Sequence, residues 1–565
     1  MSFKQLSPDF WVSPQLGKAD VAQAASQGFR AIIGNRPDGE NTRQPSAEAM
    51  VALAAQHGMA FEHVPVTPDA ITDADVERME EALCRHGGPV LGYCRTGMRS
   101  ASLWALARAG QYGQDNVLRA AAAAGFDLSR LKPRLMARAE APGGPARAPR
   151  TFDVLIVGGG SAGIAVASSL LRRRASLDIA VVEPSPTHDY QPGWTMVGAG
   201  VFAPGDTRRE MAAVMPDGVT WIRQAAAGFA PDGNEVALAD GTALRYRVLV
   251  VAPGIKLDWD AIPGLVPALG TNGVTSNYRH DLAPYTRDLV HGLKGGRALF
   301  TQPAMPIKCA GAPQKAMYLS CDAWRRARVL GQVEVEFHNA GAALFGVAAY
   351  VPALMAYVER YGIHLRPQSR LVAVDGPARV ATFEQQGANG AIERVERGFS
   401  MLHAVPPQVA PDFIASSPLA GAGGFVAVDP ATLRHVRFGN IYGLGDAGST
   451  PNAKTAAAVR KQAPVVAVNV LATLAGAEPA VAYDGYGSCP LTVERGRIVL
   501  AEFGYGGKLL PSFPAWLLDG TTPTRAAWFL KARLLPAIYW HGMLKGREWM
   551  AAPRTGQPAA PAPAA

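Results

Sequence analysis

TFDVLIVGGGSAGIAVASSLLRRR, residues 151–174, decides the fold. It reads as a strand, a tight glycine turn and a long helix, and DIAVVE (178–183) follows as a second strand. Gly158, Gly160 and Gly163 give the spacing G-x-G-x-x-G, and Glu183 stands at the end of the second strand, 20 residues after Gly163. The spacing alone is common. A strand before it, a helix opened by it and an acid at that distance make it a dinucleotide site. The glycines let the backbone approach a pyrophosphate, the helix N-terminus stabilises its charge, and Glu183 can accept hydrogen bonds from ribose hydroxyls.

Around this core the chain is long. At 565 residues it exceeds one hydrophobic core, and with 48% hydrophobic and 18% charged residues it reads as several folded domains. The net charge of +9 permits contact with anionic lipid, but no dense Lys/Arg run or binding fold speaks for nucleic acid. The five cysteines, Cys84, Cys94, Cys309, Cys321 and Cys489, form no CxxC pair. They suggest a reducing compartment with one or two reactive thiols, no disulfide scaffold and no metal site. The start, MSFKQLSPDFWVSP, has no apolar signal core, and no run of apolar residues is long enough to span a bilayer.

EAPGGPARAPR (140–150) reads as a linker and residues 551–565 as a disordered Pro/Ala tail. Before the linker, strand-like FRAIIGN, FEHVPV and GPVLGYC alternate with helix-like AEAMVALAAQHG and DADVERMEEALCRHG, a βαβ pattern. There YCRTGMRS (93–100) sets a cysteine and an arginine between a strand and a helix.

RVLVVAPGIKLDW (247–259), with Pro253 and Gly254, resembles the second flavin contact of flavoproteins built on two dinucleotide folds. NIYGLGDAG (440–448) resembles their late Gly-Asp motif, in which Gly445 and Asp446 would hold the ribitol chain; the resemblance implies FAD. The strand that could carry a second glycine loop, GGRALFTQ (295–302), runs instead into PAMPIKCAGAPQKAMYL (303–319). Prolines, a lysine and a cysteine replace the glycines, so nicotinamide is not the expected electron partner.

EPSPTHDYQPGWTMVGAG (183–200), MPIKCAGAPQKAMYLS (305–320), LFGVAAY (344–350), MLHAVPPQ (401–408), GDAGSTPNAKTAAAV (445–459) and YDGYGSCPLTVERGRIVLAEFGYGGKLLPSFP (483–514) resemble the sulfide:quinone oxidoreductase family, in the branch shared by mitochondria and many bacteria. The resemblance implies that Cys309 takes up sulfane sulfur beside Lys315, that Lys454 belongs to the FAD site, and that electrons pass through FAD to quinone. A small thiol or sulfite would accept the sulfur, and a homo-oligomer is possible. Lys308 and Lys315 would favour a Cys309 thiolate. The family commonly has a second redox cysteine at or beside the residue after Gly-Asp; here Ala447, Gly448 and Ser449 follow Asp446. Cys321, twelve residues past Cys309 on one helix, would lie roughly 18 Å away, beyond disulfide reach. Cys489 lies in a stretch that itself matches the family and is read as no replacement. The expectation is therefore one protein cysteine working with an external acceptor, or a flavoprotein that has lost sulfide oxidation and acts as a sensor or scaffold.

In residues 509–550, Trp516, Trp528, Trp540 and Trp549 are interleaved with Arg525, Lys531, Arg533, Lys545 and Arg547. Such a mixture suits the headgroup boundary, so residues 483–550 are expected to dock on the cytoplasmic side of a membrane, peripherally, near quinone.

AIIGNRPDGE (31–40), HVPV (63–66) and YCRTGMRS resemble small domains of the tyrosine-phosphatase fold, of the beta-lactamase hydrolase-like phosphatase family, over residues 1–139. This implies a nucleophilic Cys94 with an anion held by the loop amides and Arg99, and Asp38 as a candidate acid. Four residues separate Cys94 from Arg99, where tyrosine phosphatases have five; the shorter loop resembles the persulfide loop of rhodaneses. Sulfur handling is favoured over phosphatase chemistry. The expected architecture is α/β throughout: this domain, then two Rossmann-like domains (FAD-binding 151–262 with 430–482, and 263–429), then an amphipathic helical end.

Overall fold

Apolar tetrads too short for helices build the first sheet. Ala31–Gly34 (β3) and Val90–Tyr93 (β5) are buried at every position, as central parallel strands covered on both faces must be. With Lys4–Ser7 (β1), Phe10–Ser13 (β2) and Ala60–His63 (β4) they form the order β1-β2-β5-β3-β4, parallel except for the β1–β2 edge pair. Helices cover both faces, among them Ala47–Gln56 (α1), Asp73–His86 (α2) and Met98–Tyr112 (α3). The β5–α3 turn is the Cys94 loop. Gly92 precedes it because any Cβ there would stand 2.5 Å from Phe10 Cζ.

The computed structural model describes residues 3–7, 9–42, 44–67, 70–86, 89–112, 114–140, 150–387 and 390–553. Most of the expected linker (141–149) and of the expected tail (from 554) lies outside the described residues. Two compact units divide the chain, Met1–Arg150 with Ala239–Ala243, and Thr151–Leu238 with Leu244–Ala565.

In the second unit Thr151–Val157 (β6), Ile179–Val182 (β7), Val219–Ile222 (β8) and Ala243–Val251 (β9) run parallel in the order β8-β7-β6-β9. The helix Ser161–Arg173 (α4) follows β6. A second parallel sheet is made of Val274–Thr275 (β10), Gly296–Gln302 (β11), Val333–Asn339 (β12), His364–Pro367 (β13) and Met401–His403 (β14), in the order β10-β14-β11-β12-β13. Trp194–Gly198 (α5), Ala283–Gly292 (α6) and Ala312–Arg326 (α7) belong to its surroundings. The chain then returns to the sheet that opens the second unit: Ile441–Gly443 (β15) pairs with β9, and Ala456–Leu474 (α8) packs on α4. An antiparallel hairpin, Gly487–Glu494 (β16) with Arg497–Phe503 (β17), shares its core with α7.

The α/β class and the two dinucleotide folds follow from the sequence pattern. The end of the chain does not. Residues 487–503, read with the docking region, form this hairpin, and the stretch from Arg525 to Lys545 is a run of short α, π and 3₁₀ turns. Among the described residues no helix is long and apolar enough to cross a membrane.

Candidate functional site

The glycine loop builds one end of a cavity of about 410 Å³. Gly158 has φ +105°, and a Cβ there would meet the Ala252 carbonyl oxygen at 2.5 Å. A Cβ at Gly163 would collide with the Gly158 carbonyl, so strand and helix could not close. Gly160 caps α4 and a Cβ there would meet nothing, which leaves its backbone open to the cavity. Both carboxylate oxygens of Glu183 accept backbone N–H groups, from Gly159 and Ser185, at 2.8 Å each. Pro253, Gly254, Gly445 and Asp446 line the same cavity, and burial raises the Asp446 pKa. A cradle whose Gly158 and Gly163 positions admit only glycine, opening on a 13-residue helix N-terminus with an acid beside it, fits a dinucleotide cofactor. Lys454 lines the cavity too, but its ammonium donates to the carbonyls of Asp446 and Gly448, 2.8 Å each, and burial lowers its pKa to about 8. Its own carbonyl accepts the Cys309 N–H at 2.9 Å. Lys454 therefore ties the Gly-Asp turn to the cysteine loop.

Cys309 lies in that loop, between β11 and α7, where a second glycine loop would sit. Its φ is +49°, a left-handed conformation rare for a side-chain-bearing residue. The loop is clamped: Tyr278 Oη lies 3.0 Å from the Lys308 carbonyl and 3.2 Å from that of Cys309, and Gln408 Oε1 accepts the Lys308 N–H at 2.8 Å. Lys315, on the first turn of α7 and 2% exposed, donates from Nζ to Cys309 Sγ at 3.0 Å. Cys489 on β16 is buried beside that loop, its Cβ 3.8 Å from where a Cβ on Gly311 would stand. Interaction with the Cys489 thiol, then the Lys315 charge, holds the Cys309 pKa well below the usual thiol range, although burial opposes them. The partner moves the other way: interaction with Cys309 and burial push the Cys489 thiol up. The balance favours the thiolate on Cys309 and the thiol on Cys489, both cysteines free.

The sequence set Cys489 aside as no replacement for a second cysteine, yet the fold brings it beside the Cys309 loop. Ala447 is buried in the core of the sheet that opens the second unit, and Cys321 is buried on α7 with its pKa pushed up by burial. Nothing in the local sequence marks Cys489, since the pairing spans 180 positions and depends on how β16 packs against α7.

The C-terminal stretch also reaches the cavity. Lys531, expected at the membrane surface, is 2% exposed and donates to the Pro192 carbonyl at 2.9 Å. Burial and the charge of Lys315 depress its pKa to about 7. Trp540 is buried against Tyr190 and Tyr539. By contrast Trp516 is 85% exposed, and Leu517, Phe529, Leu534, Trp549 and Met550 are exposed with it.

In the N-terminal unit Cys94 is buried and accepts the Gly97 N–H at 3.2 Å. Arg99 is also buried. Its Nη1 and Nη2 donate to the two oxygens of Glu40 at 2.6 and 2.9 Å, and Nη1 also to the Val66 carbonyl at 2.8 Å. Arg36 Nε joins the Glu40 carboxylate at 2.9 Å. Hydrogen bonding from Arg99 lowers the Glu40 pKa to about 2. Asp38, the candidate acid, instead accepts the Ala47 N–H at the start of α1, 2.9 and 3.1 Å from its two oxygens. Glu40 went unnoticed because its partner is 59 residues away.

Comparison with known proteins gives both regions relatives. Residues 2–111 match the family model of the beta-lactamase hydrolase-like protein, phosphatase-like domain. Over 121 residues the chain is 37% identical to a beta-lactamase hydrolase-like protein of Xylella fastidiosa, covering 21% of this chain and 28% of that protein. Over 397 residues it is 40% identical to a mitochondrial sulfide:quinone oxidoreductase of Dictyostelium discoideum, covering 70% of this chain and 86% of the relative. The solved sulfide:quinone oxidoreductase of Aquifex aeolicus shares its fold, with a TM-score of 0.59 at 18% identity over 71% of this chain and 92% of that one. With the cradle, the thiol pair and a relative matched over most of its length, the chain belongs to the sulfide:quinone oxidoreductase family of FAD-dependent oxidoreductases, and it carries a beta-lactamase hydrolase-like phosphatase-like domain ahead of that fold.

Proposed function

We propose that the second unit oxidises sulfide to sulfane sulfur with quinone as acceptor, on FAD held by Gly158, Gly160, Gly163, Glu183, Pro253, Gly254, Gly445 and Asp446. The observation that carries this is Cys309 Sγ, 3.0 Å from the buried Lys315 ammonium, in the same cavity as the glycine loop.

On this reading the two sulfurs have different tasks. In the oxidised form they share a disulfide. Hydrosulfide attacks one sulfur and the other leaves as thiolate, and the sulfur with the lower pKa leaves faster. Cys309, with Lys315 3.0 Å away, is that leaving group. The attack therefore falls on Cys489: a sulfur–sulfur bond forms to Cys489, the disulfide breaks, and Cys309 departs with the electron pair. The sulfane sulfur lands on Cys489, not on Cys309. An external thiolate or sulfite then takes the outer sulfur and leaves a Cys489 thiolate, and closing the pair into a disulfide releases two electrons. FAD bound in the cradle supplies the acceptor for that pair and the route to quinone. Lys315 keeps its proton although burial works to remove it, because the Cys309 charge holds it there.

The exposed apolar side chains at Trp516, Leu517, Phe529, Leu534, Trp549 and Met550, with exposed Arg525, Arg533, Lys545 and Arg547, suit a peripheral contact with anionic lipid on the cytoplasmic side of a membrane. For the first unit we propose transfer of persulfide or thiosulfate sulfur at Cys94, supported by the four-residue Cys–Arg spacing and by Glu40, which occupies one edge of Arg99. The phosphatase-like family match favours phosphate ester hydrolysis as a second reading.

The test is anaerobic. Sulfide with a thiol acceptor should bleach the bound flavin and quinone should restore it; no bleaching sinks the proposal. For Cys94, thiosulfate:thiol transfer is compared with p-nitrophenyl phosphate hydrolysis, and Cys94-dependent phosphate release without sulfur transfer reverses the preference.

A further inference from the structure

A cleft between α5, α6 and α7 carries polar atoms that have no partner. It is lined by Thr195 and Gly198 from α5, by Asn277, by His291 at the exposed end of α6, and by Ser320 from α7. Thr195 and Asn277 also line the main cavity. Thr195 is 5% exposed and Asn277 4%, yet Thr195 Oγ1 and Asn277 Oδ1 have no hydrogen-bond partner among the described residues. Buried polar atoms are rarely left so, and two on one cleft point to a small hydrogen-bonding visitor. The cleft admits one water-sized molecule. Its width is set by Gly198, where a Cβ would collide with the Asn277 side-chain amide.

We infer that this cleft is an entry passage for neutral hydrogen sulfide, running from the His291 face past Thr195 and Asn277 into the cavity that holds Cys309, separate from the path of the larger sulfur acceptor and quinone. The inference rests on the proposed sulfide oxidation. The main cavity, about 410 Å³ and lined by Cys309 and Lys315, is the route wide enough for the larger partners of the reaction. A bulky acceptor cannot use the α5–α7 cleft. Hydrogen sulfide is close to water in size and donates hydrogen bonds. An unpartnered amide oxygen accepts them from the neutral molecule and repels the hydrosulfide anion. Selection by size and protonation state thus comes from the same three residues, Thr195, Gly198 and Asn277. The proton is given up to solvent in the main cavity, whose lining includes Lys315 and Lys531.

The experiment narrows the passage in the full-length, flavin-loaded protein. Gly198→Ala pushes Asn277 into the cleft, and Ser320→Leu fills it from α7. Both should lower kcat/KM for sulfide at least tenfold while KM for quinone and the rate of flavin reoxidation by quinone stay unchanged. Two labelling rates read access without turnover: oxidation of the Cys309 thiol by hydrogen peroxide should slow in step with sulfide, and alkylation by monobromobimane should not. If either variant fails to fold or to bind flavin, Thr195→Val, which keeps the shape and removes the hydroxyl, decides by a several-fold loss in sulfide kcat/KM. Folded variants with wild-type sulfide kcat/KM overturn the passage, as does bimane labelling that falls as far as the sulfide rate. A wild-type protein whose flavin sulfide does not reduce overturns the proposed oxidation itself, and the passage with it; normal wild-type reduction with unaffected variants overturns the passage alone.

Discussion

Cys309 and Cys94 occupy the same place in two unrelated parallel sheets, at the end of a central strand and just ahead of a 15-residue helix, yet they are served by opposite electrostatics. Cys309 faces an ammonium that no carboxylate among the described residues partners, only 3.0 Å away, and interacts with a second thiol. The cation near Cys94 is already compensated, because Arg99 gives two of its N–H groups to Glu40. The contrast is between a cysteine whose own pocket favours the thiolate and a cysteine beside an arginine whose charge a carboxylate already offsets. A strand–Cys loop–helix junction therefore does not define a chemistry; the charge balance around it does.

The contrast breaks first at the sulfurs. Cys309→Ser and Cys489→Ser should each reduce the rate of flavin bleaching by sulfide by at least about 10³-fold, since the two act as one unit. Cys94→Ser should leave bleaching within about twofold, the scatter expected for a distant independent site. Stopped-flow absorbance of the flavin band checks both, and a large loss in Cys94→Ser would mean that the two sites are one machine.

Lys315→Met sharpens the comparison next. An opposite charge at this range moves a thiol pKa by about 1–3 units, so the variant should lose roughly 10- to 100-fold in kcat/KM for sulfide at neutral pH. The sign is fixed: Lys315 lowers the Cys309 pKa, so without it Cys309 is a poorer leaving group, and in the reduced protein its thiolate forms at higher pH, read as an upward shift of the pH profile of Cys309 alkylation. An unshifted alkylation profile would assign Lys315 to binding rather than to thiolate stabilisation.

Lys531→Met tests a smaller share of the same field. Lys531 has a pKa of about 7, so it is charged below that pH and neutral above it. Its charge helps to lower the Cys309 pKa. The variant should cost a few-fold, about 3 to 5 as an order of magnitude for one more distant charge, below pH 7 and close to nothing above pH 8. The pH–rate profile for sulfide reads it, and an equal loss on both sides of pH 7 contradicts the electrostatic role.

These residues also show what the sequence could tell. The glycine loop and Cys309 were legible because each lies within a contiguous strand–loop–helix signal. Cys489 was not: its role appears only when a strand 180 residues later meets α7, and the family stretch around it reads the same with or without that contact. Lys531 was legible as a basic residue among aromatics but not as a buried one, since irregular turns break the helical periodicity that would have given its facing. Asp38 and Glu40 are two residues apart, and the pattern could not say which would cap α1 and which would take Arg99.

The smallest effect concerns that last pair. In the folded protein Glu40 has a pKa of about 2, mainly through hydrogen bonding from Arg99, against roughly 4.3 for an unfolded glutamate. A depressed carboxylate stabilises the fold fully above the unfolded value, and the contribution is lost as pH falls toward the folded one. The Glu40 side chain is 26% exposed, so solvent screening leaves about 1 kcal/mol, well below what the raw shift implies. Glu40→Ala should therefore lower the midpoint of the N-terminal unit by a few degrees at pH 7 in calorimetry of the full chain. That difference should shrink from about pH 4.5 downward and be nearly gone by pH 2 to 3. If Glu40 also fixes the direction of Arg99, Glu40→Gln, which keeps one hydrogen bond and loses the charge, should retain more of the Cys94-dependent activity than Glu40→Ala. Equal activity in the two variants would separate the stability of the pair from its use at Cys94, and would leave the compensated arginine as the structural half of the contrast with Lys315.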